Sequence, residues 1–143
     1  MGNQKDFKCI NLRIEEIFRS VSLEPYKSIE TIHFYEEYLA KSINYPCELT
    51  GIEDFDWEEF YILGPGSDDD YKRLKKTNPS YTDKFELISL QNKIEEWKGI
   101  IANVMRKTDQ RKFKIPLAEL VPTDKKSKNF TLLIDYSVWF VNY

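Results

Sequence analysis

The chain has 143 residues, of which 41% are hydrophobic and 31% charged, a balance typical of a globular domain rather than a disordered segment. A net charge of −3 argues against a chain-wide basic surface for nucleic acid, and no apolar run is long enough for a membrane span. Cys9 and Cys47 lack the spacing of a metal or redox motif, which predicts a cytoplasmic protein with reduced thiols. We expect a single domain over residues 1–143.

Two helices are predicted in residues 1–45. Asn11 is a candidate N-cap for a short first helix, and Pro25 ends that segment. Ser28 is a candidate N-cap for a second helix, Ile29–Ile43, whose apolar residues recur at helical spacing. The N-terminal part is therefore predicted to be helical.

Short strands are predicted between residues 46 and 122. Alternating and β-branched residues, separated by turn-forming residues, carry this prediction. The last two strands form the best hairpin signal in the chain, across residues 108–111. The predicted strands are Cys47–Ile52, Glu59–Leu63, Lys84–Leu90, Ile100–Lys107 and Lys112–Pro116.

The predicted fold class is α+β: N-terminal helices, a small five-stranded SH3-like bent barrel in residues 46–122, and a C-terminal segment that packs on the barrel. In that segment, residues 123–143, Phe130 and Ile134 suit a helical turn. The β-branched and aromatic residues from Ser137 onward suit an extended tail.

The stretch Glu53–Asp70 holds eight carboxylates and no Lys or Arg. It lies in a longer acidic region, Glu15–Asp70, which has 15 Asp and Glu against three Lys and Arg. Hard cations such as calcium take carboxylate oxygens as ligands, so this stretch is the candidate calcium site. The candidate ligands are Asp54, Asp56, Glu58, Asp68, Asp69 and Asp70.

The spacing of these acids does not match an EF-hand. Asp54, Asp56 and Glu58 alternate like the first three ligands of that loop. Glu59 then stands where the motif needs glycine, and Pro65 where it needs a bidentate glutamate. A calcium site would have to be assembled from two loops, and the alternative is a solvated acidic face that limits self-association.

The sequence predicts a protein that is not an enzyme. His33 is the only histidine, which removes most Ser-His and Cys-His arrangements and His-rich metal sites. The Gly64–Ser67 turn lacks the lysine and the spacing of a phosphate-binding loop. No pair of carboxylates is distinguished as a general acid and base.

The C-terminal aromatic residues give a second binding hypothesis. Trp139, Phe140 and Tyr143 form a partner-binding strip if they are exposed, and otherwise pack over an open end of the barrel. Nucleic acid is a weaker alternative that the acidic stretch opposes. Its candidate contacts are the basic segments Lys72–Lys76, Arg106–Lys114 and Lys125–Lys128.

Three segments resemble a known family. The run YLAKSINYPCEL, residues 38–49, looks like the helix and aromatic-proline pair that enter the barrel of small cyanobacterial calcium-binding proteins of the CcbP type. The run FKIPLAEL, residues 113–120, is similar to that family's closing strand, and DYSVW, residues 135–139, echoes its aromatic C-terminus. The segment from about residue 54 to 82 departs from the family's shorter pattern. The resemblance implies an SH3-like scaffold and a calcium-binding or calcium-buffering function.

The sequence thus predicts a small non-enzymatic binding domain with calcium as the candidate cofactor. The alternative is a protein-interaction module that uses the aromatic tail or an edge of the barrel.

Overall fold

The computed structural model describes residues 4–95 and 97–143, and within them it has five α-helices and five β-strands. The helices are α1 (Gln4–Arg19), α2 (Ile29–Ser42), α3 (Asp56–Ile62), α4 (Asp68–Leu74) and α5 (Lys128–Asn142). The strands are β1 (Glu48–Gly51), β2 (Phe85–Glu95), β3 (Gly99–Arg106), β4 (Lys112–Pro116) and β5 (Leu120–Pro122). A single 3₁₀ turn, Leu117–Glu119, joins β4 to β5.

The strands form one antiparallel sheet in the order β4-β3-β2-β1-β5. In the register of the central strands, Leu49 of β1 lies opposite Phe85 of β2 on one side and Pro122 of β5 on the other. Because β4 and β5 are the two edges, the sheet does not close. The α+β class is confirmed, whereas the predicted closure into a barrel is not present.

Three helices supply the apolar layer that the sheet needs. α2 packs on β2 and β3, α5 packs against β5 and the 3₁₀ turn, and α1 packs on α5. α3 and α4 lie in the connection between β1 and β2, which we call the insertion. The largest fully buried side chains include Phe18, Tyr35, Phe85, Tyr136 and Trp139.

Several local predictions are confirmed. Ser28 caps α2, because its hydroxyl accepts a hydrogen bond from the Thr31 amide at 3.1 Å. β3 and β4 form the predicted hairpin, with Ala102 opposite Ile115. The first helix is longer than predicted, and Asn11 lies inside α1 rather than at its N-cap.

The predicted strand Glu59–Leu63 is wrong, since these residues lie mainly in α3. In a helix, the 3.6-residue period puts Trp57 and Tyr61 on one side. Their rings contact each other with centroids 6.1 Å apart. The fifth strand is supplied instead by β5, which pairs with β1.

The predicted extended tail is also wrong, because α5 continues to Asn142. Tyr136, Trp139 and Phe140 recur at intervals of three and four residues, which places their rings on one side of a helix. Tyr136 and Trp139 are fully buried there. Burial of this aromatic face overrides the β propensity of the β-branched neighbours.

Candidate functional site

The carboxylate of Glu58 is fully buried in the insertion and accepts four hydrogen bonds there, and we call it the hub of the insertion. Its Oε1 accepts hydrogen bonds from the Tyr81 amide at 2.8 Å and the Phe55 amide at 3.3 Å. Its Oε2 accepts from the Tyr71 hydroxyl at 2.5 Å and the Ser80 hydroxyl at 2.8 Å. Because both oxygens are occupied by internal donors, Glu58 serves as a structural residue rather than an exposed metal ligand.

Aromatic rings surround this hub and join α3 to α4. The Tyr61 and Tyr71 rings are stacked, with centroids 5.6 Å apart, and the Trp57 ring lies 5.7 Å from Tyr71. The Trp57 indole also donates a hydrogen bond to the Pro79 carbonyl at 2.7 Å. Burial, followed by the hydrogen bond to Glu58, raises the pKa of Tyr71 to about 12.

A buried arginine fixes the C-terminal end of the insertion. The Arg106 guanidinium donates to the carbonyl oxygens of Lys75, Lys76 and Asn78 at 2.7–2.9 Å. It also pairs with the carboxylates of Asp83 at 3.0 Å and Asp109 at 2.7 Å. Arg106 therefore holds the loop after α4 onto the sheet and is not available to contact phosphate.

The other predicted calcium ligands are divided between two helices and a loop. Asp68, Asp69 and Asp70 form the first turn of α4, where negative charge stabilises the helix N-terminus. Asp70 also pairs with Arg73 at 3.2 Å. Over residues 4–95 and 97–143, no three or more His, Cys, Asp or Glu side chains are arranged to hold a metal ion.

The Glu119 carboxyl, near the end of the chain's last strand connection, is influenced by two acids of the segment after β1. Burial raises the pKa of the Glu119 carboxyl, and the nearby charges of Asp56 and Glu53 raise it further. Glu119 lies in the 3₁₀ turn, and its carbonyl accepts a hydrogen bond from the Ile52 amide at 3.0 Å. No feature of the sequence indicates this interaction, since Glu119 lies 63 positions from Asp56 and 66 from Glu53.

The end of α3 exposes three apolar side chains in succession, which we call the apolar tip: Phe60, Ile62 and Leu63. Their exposed fractions are 55%, 40% and 79%. The exposed carboxylates Asp56 and Glu59 lie on the same short helix. An apolar surface with a charged rim is typical of a protein-binding site. The predicted strand Glu59–Leu63 conceals this surface, because alternation in a strand turns every second side chain towards the core.

The C-terminal aromatic residues pack inward to different degrees. Trp139 is fully buried, and its indole donates to the Pro25 carbonyl at 2.7 Å. Trp139 is therefore a core residue, which corrects its place in the predicted partner-binding strip. The Phe140 ring lies under the Lys27 ammonium at 4.4 Å, and the Tyr143 hydroxyl contacts Asn11 at 3.2 Å. Partner binding by these two residues stays a prediction.

Comparison with known proteins gives no match to a family model, to a curated protein or to a solved structure. The resemblance to calcium-binding proteins of the CcbP type therefore stays a prediction. Within the described residues, none of the helices combines the length and the apolar character needed to cross a membrane.

Proposed function

We propose that this protein is a non-enzymatic binding domain that docks a basic, amphipathic segment of a partner protein on the insertion. The exposed apolar tip, Phe60, Ile62 and Leu63, is the observation that carries the proposal. Large apolar side chains in contact with water at the end of one helix gain free energy when a partner covers them.

The chemistry of the partner follows from the acidic residues that the insertion carries. Asp56 and Glu59 lie on α3, and Asp68–Asp70 begin the next helix. Lysine or arginine on the partner would pair with these carboxylates while its apolar side chains cover the tip. Such complementary charges speed association and select the partner more than they add affinity.

The internal order of the insertion favours binding at a low entropic cost. The four hydrogen bonds to Glu58 and the six made by Arg106 to Asp83, Asp109 and the loop carbonyls fix the two ends of the insertion. A surface that is already ordered loses less conformational entropy on binding. The apolar tip is thus presented by a rigid support.

Titration with a defined peptide tests this proposal. The probe is a labelled amphipathic helix built from leucine and lysine, followed by fluorescence anisotropy, and the matched control peptide replaces lysine with glutamate. We expect saturable binding of the basic peptide, weakened by salt, and no binding of the acidic peptide.

Variants locate the contact. Phe60→Ser with Leu63→Ser removes two apolar contacts and should abolish binding. Ile88→Ser, at a 45% exposed residue of β2, should leave it unchanged. Equal binding by the double variant, or equal loss with Ile88→Ser, would contradict docking on the apolar tip.

Calcium binding is the second candidate, and the electrostatic repulsion that Asp56 and Glu53 exert on the Glu119 carboxyl is the observation that favours it. Since these three carboxylates do not form a metal site as they stand, calcium binding requires their side chains to converge. A bound cation would relieve the repulsion among these carboxylates. Calorimetric titration with calcium should then give saturable heat, and a hundredfold excess over Kd should stabilise the fold by about 2.7 kcal/mol. Glu119→Gln should weaken binding and Asp69→Asn should not. Absence of both heat and stabilisation would exclude calcium.

A further inference from the structure

A trough between α1, α2 and α5 has the features of a small-molecule site. Its volume is about 470 Å³, within the range of about 300–1,000 Å³ that ligand pockets occupy. It lies on the helical layer, away from the insertion, and all of its lining residues come from α1, α2, α5 or the residue after α1. The lining residues are Arg13, Glu16, Ile17, Ser20, Tyr35, Tyr38, Lys128, Thr131, Leu132 and Asp135.

The Tyr35 hydroxyl in this lining has no hydrogen-bond partner. Tyr35 is 0% exposed, and its hydroxyl oxygen is the one buried side-chain nitrogen or oxygen without a partner among the described residues. An unsatisfied buried polar atom is unfavourable, and native proteins usually avoid it. Because the hydroxyl is closed off from solvent, a ligand in the trough reaches it only when side chains at the floor move apart, and its bond to the hydroxyl then removes that cost.

A partly buried ion pair lines the same trough as Tyr35. The Arg13 Nε and Nη2 donate to the two Asp135 carboxylate oxygens at 2.7 and 2.8 Å, while the Asp135 side chain is only 5% exposed. Burial raises the pKa of Tyr35 most, and the Asp135 charge raises it further. Each Asp135 oxygen has lone pairs beyond the one that Arg13 uses.

The charges of the lining indicate the class of ligand. Arg13 and Lys128 are positive, Glu16 and Asp135 are negative, and the walls therefore carry no net charge. A ligand with a net charge would find no surplus of the opposite charge. The partly exposed Tyr38 ring, which packs edge-on against Tyr35 with centroids 6.1 Å apart, supplies aromatic surface for a flat molecule.

We infer that this trough binds a small uncharged heteroaromatic compound, whose polar edge accepts a hydrogen bond from the Tyr35 hydroxyl and donates one to Asp135. This site is separate from the apolar tip, and its occupation does not depend on the partner proposed above. The alternative occupant of the floor is an ordered water molecule, which the following experiment distinguishes.

The test uses the full chain, labelled with ¹⁵N, and three uncharged probes at millimolar concentration: nicotinamide, adenine and uracil. Nicotinate, which has the ring of nicotinamide and a negative charge, is the matched control. We expect at least one uncharged probe to shift amide signals of α1, α2 and α5 in a saturable way, and nicotinate to shift none. Absence of a shift with all three probes, or equal binding of nicotinate, would overturn the inference and leave water as the occupant.

Two variants assign the binding to the trough. Tyr35→Phe removes the hydroxyl and should reduce the affinity for the probe about 2- to 10-fold. Thr131→Trp, at an exposed residue of the lining, fills the trough from its rim and should abolish binding with the fold intact. Unchanged affinity in Thr131→Trp would refute the site, and it does so even if Tyr35→Phe fails to fold.

Discussion

Two buried polar side chains stand at the centres of the two regions described above, and their environments are opposite. Glu58 in the insertion accepts four hydrogen bonds from internal donors. The Tyr35 hydroxyl under the helical trough has no partner. A satisfied carboxylate stabilises the fold, whereas an unsatisfied hydroxyl leaves bonding capacity for something else. This difference indicates that the centre of the insertion is structural, whereas the trough is the region proposed to bind a ligand.

Substitution of Glu58 gives the largest effect. Glu58→Ala leaves the Tyr71 and Ser80 hydroxyls and the Tyr81 amide without their acceptor, so we expect a loss of about 3 kcal/mol in the free energy of unfolding. Urea denaturation measures it. The control is Glu59→Ala, an exposed neighbour on the same helix, which should change stability by less than about 0.5 kcal/mol. Equal losses of stability in the two variants would contradict a structural role of the Glu58 carboxylate.

A pair of buried tyrosines sharpens the comparison. The Tyr136 hydroxyl accepts a hydrogen bond from the Ile100 amide at 2.9 Å, and Tyr35 makes no such bond. Tyr136→Phe should therefore cost about 1–2 kcal/mol, because a buried amide loses its partner, while Tyr35→Phe should cost nothing in the ligand-free protein. Thermal unfolding of both variants checks this. If Tyr35→Phe were the more destabilising change, the hydroxyl would have an internal role.

High pH should reduce the contribution of Tyr71 to the free energy of unfolding. The folded state keeps Tyr71 protonated to about pH 12, above its ordinary value of about 10. A raised pKa contributes stability that is complete below the unfolded value and is lost as pH rises through the folded one. The stability difference between the wild type and Tyr71→Phe should shrink between about pH 10 and 12, as measured by urea denaturation across this range. A difference independent of pH would contradict the Tyr71–Glu58 bond.

Much of the fold was readable from local sequence. The Ser28 cap and the β3–β4 hairpin depend on neighbouring residues, and both are present. The error at α3 arose because an acidic, aromatic segment of seven residues has too few turns to show a helical period. The prediction of an extended tail at α5 fails because β propensity carries no information on the helical layer that buries Trp139.

The candidate sites were harder to predict because they depend on contacts distant in sequence. The four donors to Glu58 come from residues between 3 and 23 positions away. The Arg13–Asp135 pair joins residues 122 positions apart. A count of carboxylates does not show which of them point inward, so Glu58 was grouped with the exposed acids. A missing hydrogen bond, as at Tyr35, has no counterpart in sequence at all.

The smallest effect on stability is expected at the apolar tip. A substitution there can therefore reduce binding without changing the stability of the insertion. Leu63 is 79% exposed, so Leu63→Ser removes little buried surface and should change the free energy of unfolding by less than about 0.5 kcal/mol. The same substitution should weaken binding of the leucine-lysine peptide, which is measured by fluorescence anisotropy on the same preparation. A stability loss as large as that of Glu58→Ala would mean that the tip is part of the core of the insertion. Its exposure would then no longer support a docking surface.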